Sequence, residues 1–394
     1  MQEKKGINKK EIEKLYADKM IQSNLPEHID FREAKNIQEA ISFSKNILKI
    51  KEVDSNFTLD ALNIVNKGIV DISNAHKGKA FLPRSLEFAD VGIGADSNWF
   101  ASVNQNVKSD KFFRLRINKK YYDNKTLDEE IKSYLYYHGH EKNFEINNSK
   151  ITTLYVAGPD WGMPTKELAK YIEKFYKNPA SMNIKEKQIL FNSMYQNDIY
   201  AHATMRNPFD TIRILTEKHK NILEKENYKI NIDELSRKSI QEQKDELWKV
   251  IHILDKNRIH SYFKFDVITP EYTIYHELGH LQDFGLNLKK LHVNLKDNEY
   301  YLLDNRWGTI NDKHIKEYYE QHPDGAKKYY PDLYEFLNNP QIQITAGKVS
   351  DYSQVGIGEF IAEAYAEMIS GKKLPDDVMA LYKKYNGPLP NGFK

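Results

Sequence analysis

One pentapeptide constrains this chain more than any other stretch: His276-Glu277-Leu278-Gly279-His280, set within a segment that reads as a helix. Residues four apart on a helix lie one above the other, so both imidazoles project from one face toward a common point. That spacing suits two corners of a tetrahedral zinc site, where neutral imidazole nitrogens sit about 2.0–2.1 Å from the metal. The glutamate between them is placed to take a proton from the water such a metal would hold. The flanks support the helix. Thr269-Pro270-Glu271 offers an N-cap residue, a proline for the first helical position and an acid in the first turn. Gly285 reads as the C-terminal stop. Between them Ile274, Leu278 and Leu281 form a core-facing stripe, while His276, His280 and Asp283 share another face. The motif points to zinc-dependent peptide hydrolysis.

A catalytic zinc takes three protein ligands and keeps one position open. The metzincin continuation of the motif fails, because position 283 is Asp and position 286 is Leu. The best candidate for the third ligand lies 79 residues beyond His280, in Gly356-Ile357-Gly358-Glu359-Phe360-Ile361-Ala362-Glu363-Ala364-Tyr365-Ala366-Glu367-Met368. Phe360, Ala364 and Met368 recur every four residues and Gly371 follows, which predicts a second helix. Glu359 and Glu363 stand one turn apart on one face of it. Glu359 would bind the metal, and Glu363 would accept a hydrogen bond from the second nitrogen of a ligating histidine. Glu367 reads as part of a solvated face.

These two segments, with Tyr352 seven positions before Glu359, resemble the catalytic domain of anthrax lethal factor and its relatives, including the Pro-Pro endopeptidases. The resemblance covers roughly residues 265–394. It implies a zincin-like metallopeptidase in which His276, His280 and Glu359 hold zinc and Glu277 is the general base. It further implies that Tyr352 faces the metal and stabilises the oxyanion of the transition state, and that Asp283 supports the metal ligands from behind. A phenol aimed at that oxyanion stabilises the transition state more than the substrate.

Composition excludes more than it selects. The net charge of +2 makes no case for nucleic acid or an anionic membrane as partner. No run approaches the roughly 18 apolar residues of a membrane span. The absence of cysteine removes disulfides, thiolate nucleophiles and Cys-type zinc sites. The first residues, MQEKKGINKKEIEKLYADKM, show no apolar signal stretch. That reading places the protein in the cytoplasm or on a particle, or outside the cell if the N-terminus is a processed start.

Along the chain, residues 8–75 read as helices with alternating Lys and Glu surfaces. Phe113, Leu115 and Ile117 alternate with Arg114, Arg116 and Asn118 as in a strand, and 151–156 is a second strand candidate. Helical texture returns over 164–258, with starts at Pro164-Thr165 and Asn207-Pro208. A short strand, Phe263 to Val267, leads into the motif helix. The fold class expected is α+β: mostly helical, with a small mixed sheet above the active-site helix. Its organisation is expected to be an N-terminal helical segment, 1–80, and a peptidase domain, 81–394, with a helical insertion at 164–258 and site helices near 270–284 and 359–369. An extended peptide or protein substrate would add to an exposed strand edge, for which 112–118 and 262–268 are the candidates. Arg114 and Arg116 read as solvated strand-face charges. Tyr137-His138-Gly139-His140 reads as a polar loop, and Asp160-Trp161-Gly162 and Asn305-Arg306-Trp307-Gly308 as turns.

The leading expectation is a zinc endopeptidase. The alternative is a non-catalytic structural or binding module of a phage or mobile element that keeps a peptidase-like fold. A degenerate module would be expected to lose Glu277 or a ligand, and this chain keeps all of them. An aminopeptidase would need an acidic anchor for the substrate amine, and none is identified.

Overall fold

The structure is a computed structural model describing residues 22–89, 101–103, 113–139, 163–164, 166–193, 208–256, 264–265, 267–287, 331–350 and 352–393. It divides into two compact units, Met1–Asp123 with Pro270–Lys394, and Asn124–Thr269. The expected boundary near residue 80 does not mark a division: the helix ending at Ala75 belongs to the same unit as the motif helix and packs on it. The expected insertion, 164–258, falls inside the second unit.

The first unit opens with helix α1 (Ile37–Ser42), strand β1 (Glu52–Val53), helix α2 (Leu59–Ala75) and strands β2 (Ser85–Ala89), β3 (Ala101–Val103) and β4 (Arg114–Asn118). The second unit carries α3 (Asn124–Gly139), β5 (Met163–Pro164), α4 (Lys166–Lys177), α5 (Pro208–Lys218), α6 (Lys220–Lys225), α7 (Ile232–Leu235), α8 (Ile240–Lys256) and β6 (Lys264–Phe265). The chain then returns to the first unit as α9 (Tyr272–Asn287), α10 (Pro331–Asn338), α11 (Pro340–Gly347), α12 (Ile357–Ile369) and α13 (Asp376–Lys384). The result is mostly helical with a small mixed four-stranded sheet, as the α+β reading expects.

Helix α2 is buried almost all round, which marks a central helix rather than a surface one. Thr58 caps it by accepting a bond from the Ala61 amide, and Asp60 lies in the first turn. Its buried asparagines are all used. Asn63 bonds both the amide and the carbonyl of Ala34, and Asn74 does the same at Ile29. Asn66 bonds the Ala40 carbonyl and accepts from Ser44. Each amide thus straps the preceding chain to α2 with both its oxygen and its nitrogen bonded.

Against α2 lie α9 and α12, the pair that matters for the site. In α9 the expected stripe of Ile274, Leu278 and Leu281 is fully buried. Its partner α12 buries Phe360, Ile361, Ala364, Tyr365 and Met368, the large side chains contributing about 1.5–3 kcal/mol each relative to exposure. The two helices meet closely at Gly279, where a Cβ would stand 3.1 Å from the Tyr365 ring and 3.2 Å from Ala362 Cα. Gly285 is not the stop the sequence suggests. It lies inside α9, where a Cβ would come within 2.3 Å of the Phe81 ring. Close packing, not chain termination, explains that glycine. Helix α12 does end where expected, with Gly371 taking φ 84° just beyond it.

The sheet of this unit runs β1-β2-β4-β3, with β3 antiparallel to β4 and the other pairs parallel. Strand β4 shows the predicted alternation: Leu115 and Ile117 are fully buried. Arg114 and Arg116 face the other way and are half-buried against Glu87, at 3.3 and 3.5 Å, so they are paired charges rather than solvated ones. Because β4 is paired on both sides, 112–118 cannot offer an edge. Among the described residues the edges are β1 and β3, and β3 packs against α9.

Within the second unit, α5 to α8 pack around Ile212, Leu215, Leu223, Leu235, Leu247, Val250 and Leu254. In the same unit β6 pairs in parallel with β5, so of the other proposed edge segment, 262–268, Lys264–Phe265 belongs to a two-stranded sheet there. Helix α3 runs through 137–139, so the expected polar loop is helical as far as Gly139. His140, the strand candidate 151–156, the helix candidates before residue 22 and the turn candidates 160–162 and 305–308 lie outside the described residues.

Candidate metal centre

The motif histidines leave α9 one turn apart, and their rings cross edge-on at 4.8 Å. Their Nε2 atoms are 3.1 Å from one another. From the first turn of α12, Glu359 brings Oε2 to 3.2 Å from His276 Nε2 and 3.3 Å from His280 Nε2. Three donor atoms from three side chains thus form a nearly equilateral triangle. A tetrahedral ion with bonds of about 2.0–2.1 Å spaces its donors roughly 3.3 Å apart. The residues therefore fit a metal, and among the described residues His276, His280 and Glu359 are a group able to hold one.

Behind the triangle, Glu363 sets the histidine. Its Oε1 lies 2.6 Å from His276 Nδ1. A proton held on Nδ1 by that carboxylate leaves the Nε2 lone pair for the ion. Burial alone would push the His276 imidazole down, but Glu359 and Glu363 together hold it well above its ordinary value. Burial likewise raises the Glu359 carboxyl, yet the charge of His280 and the bonds to both imidazoles hold it well below the usual carboxylate range. Metal binding would therefore release a proton and compete with acid.

The remaining expected residues gather around this core unevenly. Tyr352 sits in a short 3₁₀ turn, 40% exposed, with its ring 5.9 Å from that of His276. Glu277 is partly exposed on α9 between the two histidines. Asp283 is buried one turn past His280. Its charge adds to burial and to Tyr365 in pushing the Tyr382 phenol well up.

Glu367 corrects the sequence reading. It is buried, not solvated, with the Tyr272 hydroxyl 3.2 Å from its Oε1 and Lys372 Nζ 2.7 Å from its Oε2. Burial raises its carboxyl despite that lysine. Tyr272 is the site residue that sequence reasoning missed. A signal was present, since Tyr272, His276 and His280 follow one another at spacings of four on a single helix face.

No family model, no curated protein and no solved structure matches this chain. Its functional reading therefore rests on its own residues. None of the described helices is long and apolar enough to cross a membrane.

One contact near this helix pair carries a pH dependence. His76, at the end of α2, meets the Tyr365 hydroxyl through Nε2 at 2.7 Å, and burial lowers its pKa to about 4 from 6.5. A folded pKa below the unfolded one stabilises the fold above the unfolded value and ceases to do so as pH falls through the folded one. His76 should therefore cost the metal-free protein about 2–3 kcal/mol between pH 6.5 and 4. Urea unfolding of the metal-free His76→Gln variant should show a shallower acid limb by that amount, and equal slopes would refute the assignment.

Proposed function

We propose that this chain is a zinc-dependent endopeptidase. The observation that carries the reading is the His276–His280–Glu359 triangle with Glu363 seated behind His276. Two imidazoles and one carboxylate are the ligand set of a hydrolytic zinc with an open position. Zinc held there would supply a Lewis acid for the substrate carbonyl and an acidified water.

The protein's own residues would do the rest. Glu277, flanked by both ligands in sequence, takes the proton of the attacking water and passes it to the leaving amine. Tyr352, exposed beside His276, donates its phenol hydrogen to the oxygen on which negative charge develops. Strand β3, the sheet edge packed on α9, is the place where an extended substrate would pair main chain to main chain. The fold is read as zincin-like on the same grounds: a sheet edge, a motif helix and a following helix that bears the third ligand.

The test is digestion of an unbiased proteome-derived peptide library by the zinc-loaded protein. Cuts that vanish with a chelator and return with zinc are expected. If the loaded protein leaves both the library and an unfolded protein intact, the peptidase reading falls and the non-catalytic binding module takes its place.

A further inference from the structure

The first residue of α9 reaches the metal centre from behind. Tyr272 lies one turn before His276, only 2% exposed, with its hydroxyl 3.2 Å from Glu363 Oε2 and 3.2 Å from Glu367 Oε1. The other oxygen of Glu363 is the one that faces His276 Nδ1. Glu367, in turn, has Lys372 Nζ at 2.9 Å from Oε1 and 2.7 Å from Oε2. We propose that Tyr272 is the positioning residue of the metal centre, fixing the Glu363 carboxylate on His276 through a hydrogen bond that Lys372 directs by occupying Glu367. The proposal rests on the metal-site reading above and adds to it a third layer of residues.

The argument is one of counting donors. A phenol has one proton, so Tyr272 can donate to Glu363 or to Glu367 but not to both at once. The Lys372 ammonium has three donors and faces both oxygens of Glu367, so that carboxylate is supplied without the phenol. Glu363 is different. It is buried, and its Oε2 has Tyr272 as the donor within reach. The proton of Tyr272 therefore goes to Glu363. With Tyr272 on Oε2 and His276 Nδ1 2.6 Å from Oε1, the carboxylate cannot rotate about its last bond without losing the buried Tyr272 hydrogen bond. The His276 ring then keeps its tautomer and its aim toward Glu359 and His280 before any ion arrives. Such preorganisation behind a ligand is expressed as metal affinity.

The experiment measures zinc dissociation constants by chelator competition, and cobalt(II) absorption as a geometric readout, on the full chain. The proteins are wild type, Tyr272→Phe, Glu363→Gln and the double variant. Tyr272→Phe should bind zinc about 10-fold more weakly, the lower end of the roughly 10–100-fold cost of outer-layer changes, and should shift the cobalt bands. In the Glu363→Gln background the same change should add nothing. Wild-type affinity in Tyr272→Phe, or an equal loss with and without Glu363, would overturn the proposal and leave the metal site standing. A wild-type protein that binds neither ion would overturn both. Should Tyr272→Phe fail to fold, Lys372→Met carries the test from a partly exposed position. There a several-fold weakening supports the assignment, and unchanged affinity overturns it.

Discussion

Replacing Glu359 with alanine should abolish tight zinc binding while leaving the protein folded. The carboxylate is one of three donors in a triangle whose sides are 3.1, 3.2 and 3.3 Å, and it alone brings negative charge to that point. Two imidazoles one helical turn apart remain in the variant, with no third ligand within the described cluster. The loss should exceed the roughly 10–100-fold that a supporting residue costs. Thermal or urea unfolding with and without zinc reads this directly. At a zinc concentration of about 1,000 times Kd a single site stabilises the native state by roughly 4 kcal/mol. A variant weakened about 100-fold would gain only about 1.4 kcal/mol at the same concentration. The metal-free variant should fold, because Glu359 lies in the first turn of α12, outside its apolar face, and His276 keeps Glu363. Zinc stabilisation equal to wild type would remove Glu359 from the ligand set.

The site was legible in the sequence where its determinants are local. A four-residue spacing puts His276 above His280 whatever the rest of the chain does, and the same rule pairs Glu359 with Glu363. Joining the two pairs was an inference across 79 residues, and the structure does bring their donor atoms together. The alternation at Leu115 and Ile117 likewise identified β4 correctly. Where it sits in the sheet could not be read, because strand order is a property of partners. That is why 112–118 looked like an edge and is an interior strand.

The misreadings share one cause. Gly285 looked like a helix stop because its reason for being glycine, the Phe81 ring, lies about 200 residues earlier in the chain. Glu367 looked like a surface charge because the groups that face it are Tyr272, 95 residues away, and Lys372 beyond the helix end. A buried acid and an exposed one have the same sequence signature; the difference lies in what the fold places opposite. Residues 137–139 looked like a loop from their polarity and glycine, and α3 runs through them. Propensity is a weak prior that longer-range context overrides.

The Glu277→Gln variant should separate chemistry from metal binding. Glutamine has the shape of glutamate but cannot hold the proton that a general base must carry between the attacking water and the leaving amine. Removing such a base costs about 10²–10⁴ in turnover. Glu277 is not among the three donors that converge on the metal, so zinc affinity should stay within about 2-fold of wild type, far below the cost of disturbing even a supporting residue. The two measurements together are the test: zinc Kd by competition, and kcat on any peptide that the library identifies. Glutamine keeps the volume of this partly exposed side chain on α9, and urea unfolding measured beside kcat separates a chemical defect from a structural one. Retained turnover would take the base role from Glu277 and reopen it for another group at the site. Lost zinc would instead mean that the carboxylate helps hold the metal. The pattern opposite to Glu359→Ala, with metal kept and catalysis gone, is what a peptidase requires and what a metal-stabilised structural module has no reason to show.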